Sequence, residues 1–126
     1  MNLTESRLKE LDNPSLAGNE RVLLRCRLAS DFIHAGQYET AREALGELWQ
    51  GVGVRPETAG LEPPSAAEVL LQCGVLSGWL GSAQHLPGAQ EKAKDLIFEA
   101  LRGFQSLRQR AKVAEAQFEL GMCYFW

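Results

Sequence analysis

The sequence predicts an all-α fold, and three observations carry that prediction. Apolar residues recur at three- and four-residue spacings along most of the chain. Strictly alternating segments are missing and β-branched residues are few, so no strand is supported. Glycine and proline corners cut the periodic runs into hairpin-sized pieces. Short corners make successive helices antiparallel neighbours, which leaves a closed bundle or stacked helical hairpins open at this point.

The elements follow in order. Thr4 stands where it can cap a short first helix, Leu3 can pack on Leu8 as a hydrophobic staple, and Asn13-Pro14 stops the helix. A second helix begins between Ser15 and Glu20 and runs to Ala35, with Leu24, Leu28, Phe32 and Ala35 on one face. Gly36 ends it. A third helix carries Tyr38, Ala41, Leu45, Leu48 and Val52 until Gly51 and Gly53 break the pattern. Residues 52–65 hold three prolines and form the one long loop. Ser65 with Glu68 reads as a capping box that opens a helix through Val69, Cys73, Leu76, Leu80 and Ala83. Beyond the corner Leu86-Pro87-Gly88, Ala89, Ala93, Ile97, Ala100, Phe104 and Leu107 trace a fifth helix, and a sixth runs from about Arg110 to the end.

Composition bounds the function. A chain of 126 residues, 45% hydrophobic and 23% charged, builds one modest core and suits a folded domain. The net charge of -3 disfavours nucleic acid, and Arg102, Arg108, Arg110 and Lys112, flanked by Glu99 and Glu115, read as a solvated helix face. No 18-residue apolar run occurs, and MNLTESRLKEL lacks the apolar centre of a secretory signal. The expectation is a cytoplasmic chain with no membrane partner. Cys26, Cys73 and Cys123 form no CxxC motif and read as small core residues in a reducing compartment.

Chemistry is thinly supplied. His34 and His85 lie far apart in the chain, and neither has a carboxylate cluster beside it. Glu43 with Glu47, and Glu91 with Asp95, are one helical turn apart and serve to keep a solvent face wet. Gly51-Val52-Gly53 follows a helix rather than a strand, which excludes a phosphate loop. The expectation is no catalytic residue, no metal and no cofactor.

An internal order chooses between the two architectures. Leu28-Ala29, Phe32, Gly36, Tyr38, Ala41, Leu45 and Leu48 together resemble the tetratricopeptide repeat, a helical hairpin of about 34 residues. Small Ala29 and Ala41 let two helices cross closely, while Gly36 turns the chain. A second copy sets Cys73-Gly74, Gly88, Ala93, Ile97 and Ala100 in the same order, with seven extra residues before the turn glycine that can lengthen both arms. Ser77 and Gln90 stand there in place of aromatics. A third copy from Ala114 gives Leu120-Gly121 and Tyr124 and lacks a second helix. Arg25, Asp31 and Gly53 depart from the family pattern.

The resemblance implies a right-handed superhelix of about two and a half antiparallel hairpins. Its parts are an N-terminal helix at 1–14, repeat 1 at 20–53, an elongated repeat 2 at 65–108 and the first helix of a truncated repeat 3 at 110–126. It further implies a non-catalytic interaction module, an N-terminal fragment of a larger scaffold or regulatory protein, with a protein or peptide partner on a mostly apolar concave face. That face would comprise Leu23, Cys26, Ser30 and Ile33, then Leu71, Val75 and Trp79, then Phe118, Met122 and Phe125 with Trp126 adjacent. Absence of lysine, asparagine and arginine from these positions speaks against a clamp for a peptide's terminal carboxylate. The apolar ending GMCYFW adds a homodimer through the C-terminal helix. The rivals are a small helical ligand-binding or enzymatic bundle and a self-associating oligomerisation domain. Trp79 discriminates, because burial inside a bundle would remove the groove's best anchor.

Overall fold

A computed structural model describes the backbone of residues 3–124 and the side chains of residues 6–124. The helices are α1 (Leu3–Lys9), α2 (Gly18–His34), α3 (Tyr38–Leu45), α4 (Pro63–Ala83), α5 (Ala89–Ser106) and α6 (Arg110–Cys123). No strand occurs among the described residues, and no helix there is long and apolar enough to cross a membrane. Packing joins α2 to α3, α4 to α5 and α5 to α6, while α4 also touches α2, α3 and α6. Because α4 is covered on several sides, every residue from Val69 to Gly78 is buried. Leu28, Leu45, Leu71, Leu76, Ile97 and Phe104 are fully enclosed, and Cys26, Cys73 and Cys123 are buried free thiols.

Three helix boundaries differ from expectation. The first helix begins at Leu3, so Thr4 lies inside it rather than at its cap, and the proposed Leu3 staple falls outside the described side chains. What fixes this segment is its contact with α2. Arg7 pairs with Asp31 at 2.6 Å, and the Arg21 guanidinium donates to the Leu11 carbonyl and, at 3.1 Å, to that of Asn13.

The third helix stops at Leu45 instead of reaching Val52. Gly46 turns the chain at φ 58, and Arg25 donates to the Ala44 carbonyl at 3.1 Å, satisfying one of the helix's last acceptors. The guanidinium fills the space a Cβ at Gly46 would need. Arg25, an oddity within the repeat pattern, is thus the C-terminal anchor of α3. The fourth helix begins at Pro63, a residue suited to a first turn because it has no N–H to leave unpaired. Ser65 is buried and caps nothing, and Glu68 turns to Lys112 instead.

The α4–α5 hairpin shows where the seven extra residues go. The helix α4 runs nine residues past Gly74 where α2 runs five past Ala29, which places four of them in the first arm. The other three lie in the corner before the glycine, 84–87 against residue 35 alone, and none in the second arm. The lengthening is therefore mainly one turn of α4, not an equal extension of both arms. Glycines accommodate it. A Cβ on Gly74 would stand 2.6 Å from Ile97 Cγ1 and 3.2 Å from the Ala93 carbonyl, and a Cβ on Gly81 would collide with that of Ala89.

A candidate binding groove on α2, α4 and α6

The first arms of the hairpins run in one direction. Early residues of α2, α4 and α6 meet around one hollow and late residues of the same three helices around the next. Leu23, Arg27, Ser30, Glu68, Gln72 and Lys112 line the first, of about 290 Å³. Ile33, His34, Tyr38, Trp79, Phe118, Glu119 and Met122 line the second, of about 450 Å³. Together they make a groove with a polar end and an apolar end.

Lys112 organises the polar end. Its ammonium lies 2.7 Å from Glu68 and 3.0 Å from Glu115. Burial presses its pKa down, but the hydrogen bonds and charges of the two carboxylates outweigh burial and hold it above the ordinary lysine value. Beneath them, burial pushes the Cys26 thiol up to about 12, with Glu68 adding and Lys112 opposing. Such a thiol stays protonated and is a poor nucleophile. Cys73 is likewise raised by burial and by Cys26, and no group of His, Cys, Asp or Glu among the described residues could hold a metal ion.

The apolar end is built on an aromatic pair. Tyr38 and Trp79 stack with centroids 5.1 Å apart and planes 10° from parallel, a contact worth about 1 kcal/mol beyond burial. Trp79 is half-buried and borders the hollow rather than vanishing into the core. Phe118 is 65% exposed at the rim. Glu119 lies beside them, its pKa raised by burial and by Glu115 and drawn back by His34. His34 Nδ1 is 2.7 Å from the Ser30 carbonyl.

No family model, curated protein or solved structure matches this chain.

The expected site residues are divided by the structure. Ile33, Trp79, Phe118 and Met122 come together at the apolar end, and Leu23, Cys26 and Ser30 at the polar end. Leu71 is fully enclosed and Val75 nearly so; both belong to the core rather than to a partner surface. Phe125 and Trp126 lie outside the described residues. The α4 stripe facing the groove is Glu68, Gln72 and Trp79, set off from Leu71 because a helix covered on several sides has no periodic apolar face to read. The available signal is that Glu68 and Gln72 are polar interruptions in an apolar helix, which mark its wet side. Tyr38, His34, Arg27, Asp31, Lys112 and Glu119 complete the lining, so the groove is mixed in character rather than mostly apolar.

A further hollow of about 200 Å³ lies under the long loop, lined by Gly53, Arg55, Lys92 and Asp95 among others. Its cations hold the loop in place. Arg55 pairs with Glu99 at 2.5 Å, and Lys92 donates to the Gly53 carbonyl at 3.1 Å.

Proposed function

We propose that the chain is a non-catalytic interaction module of the tetratricopeptide type, part of a scaffold or regulatory assembly, that holds a peptide or helix in the α2–α4–α6 groove. The observation that carries this reading is the convergence of Trp79, Phe118 and Met122 from two first-arm helices on one open apolar hollow. Support for the repeat comes from the shared direction of the three arms and from turn glycines Gly36 and Gly88, both at φ 77. The close crossings lend further support: Ala29, Ala41 and Ala93 are all fully buried.

In this arrangement Ile33 forms the floor and Trp79 a wall, while Phe118 closes over an inserted apolar side chain. The charged residues at the other end fix the partner's direction. Selection from a displayed peptide library tests the reading. Peptides retained by the native chain should share a large apolar anchor, and retention should fall in Phe118→Ala and Trp79→Ala. Phe118 is exposed enough that its loss should leave stability within about 0.5 kcal/mol of native. Peptides held equally by both variants would refute the groove.

A further inference from the structure

A second surface lies on the other side of α6. On α2 the run Leu28, Ala29, Phe32 is buried in the hairpin made with α3. In the same order on α6, Leu120 packs partly against the core while Gly121 and Tyr124 are open: no atom of the described residues lies within 4 Å of a Cβ placed on Gly121, and Tyr124, with the Lys94 ammonium 4.4 Å from its ring centre, is 71% exposed. Beside it, Gln105, Arg108, Arg110, Val113, Ala114 and Gln117 line a hollow of about 350 Å³ between α5 and α6. The charge here runs against that of the whole chain. Arg102, Arg108 and Arg110 are exposed and form no ion pair among the described residues, in a protein of net charge -3.

We propose that this α5–α6 face docks an acidic amphipathic helix supplied by another protein. Its chemistry follows from the hairpins already covered. The helices that close them present alanine and, four residues on, a branched aliphatic residue: Ala41 with Leu45 on α3, and Ala93 with Ile97 on α5. All four are fully buried, and Ile97 seats directly against Gly74. A docking helix of the same register sets its aliphatic residue over Gly121, as Ile97 sits over Gly74, with its alanine one turn earlier on the same face. Carboxylates along its edge meet Arg108 and Arg110, the charge complementarity that steers and orients association. Because the stripe leading from the arginines along α6 runs through Ala114, Gly121 and Tyr124, a helix covers it better than a phosphate backbone does. The surface is separate from the α2–α4–α6 hollows, and its occupancy does not depend on theirs.

The test uses the full chain and two synthetic helices that share an alanine–leucine register and differ only in carrying glutamate or lysine on their flanks. Fluorescence anisotropy should show the glutamate helix binding at least about tenfold tighter, with affinity falling as salt rises. Arg110→Glu should weaken it about tenfold through charge. Gly121→Gln should do so by filling the space over α6, where a Cβ on Gly121 meets no atom of the described residues. Circular dichroism checks that both variants stay helical. The proposal fails if the two helices bind alike, if neither binds, or if a uridine oligonucleotide binds instead and is lost in Arg110→Glu. A chain that dimerises through this face, shown by sedimentation and abolished in Gly121→Gln, also overturns it.

Discussion

The crossing of α4 on α5 and the outer face of α6 use the same kinds of residue to opposite ends. In the crossing, Gly74 and Gly81 have no room for even one methyl group, because Ile97 and Ala89 occupy it. On α6, Gly121 meets no atom of the described residues, and Tyr124 is exposed near it. A small residue beside large apolar ones is therefore a description of a seat and not of its occupancy. What differs is whether another described helix lies over the glycine, so the same substitution should carry opposite signs in the two places.

The largest effect should come from the crossing. Gly74→Val forces a branched side chain against Ile97 and the α5 backbone, and should destabilise by about 3 kcal/mol, read as a lower urea midpoint. A midpoint within error of native would mean the helices separate at little cost, and the contrast with α6 would collapse.

The inner side of α6 comes next, since Lys112 ties it to α4. Lys112→Met keeps the apolar stem and removes the charge, leaving Glu68, whose side chain is only 14% exposed, without its cation. Lys112 is itself a third exposed, so the expected loss is about 1–2 kcal/mol, below the range for a fully buried pair. Since the folded pKa of Lys112 is raised, the stabilisation is complete at neutral pH and is lost only as pH rises through that raised value. A Lys112→Met chain matching native stability at pH 7 would show that α6 is attached by α5 alone.

The outer face should respond with the opposite sign. Gly121→Ala meets nothing within 4 Å among the described residues and lowers the backbone entropy of the unfolded chain, so it should stabilise by about 0.5 kcal/mol. A loss of stability there would mean that the space is already occupied in solution, as it would be in a dimer.

Particular residues show what the sequence makes legible. The starts of α5 and α6 fall where the pattern places them, at Ala89 and Arg110, because the turns before them involve neighbouring residues alone. The packing role of Gly74 is legible for a similar reason, since a small residue at a helix crossing has one use. The end of α3 is not, for it depends on Arg25, nineteen residues before Ala44. Ser65 and Glu68 imitate a capping box, yet Glu68 is claimed by Lys112 from a helix that begins far along the chain. Lys112 also looks like one of four equivalent cations with Arg102, Arg108 and Arg110. Folding separates them, turning the lysine into the groove and leaving the arginines outside. Local order is written locally, and the groove is assembled by contacts that no spacing rule connects.

Glu119 gives the smallest effect and the finest test of which side of α6 is enclosed. Burial raises its pKa, Glu115 adds to the rise and His34 opposes it. A carboxyl whose folded pKa lies above its unfolded value penalises the folded state once both forms are ionised. The penalty fades as pH falls through the window between those two values and is absent below it. Glu119→Gln removes the titration, so the variant should exceed native stability at pH 7 and converge with it near about pH 4. The gain should be modest, because the side chain keeps contact with solvent and is screened. An advantage that stays constant across that range would assign it to packing, whereas convergence would place the Glu119 carboxylate inside the groove.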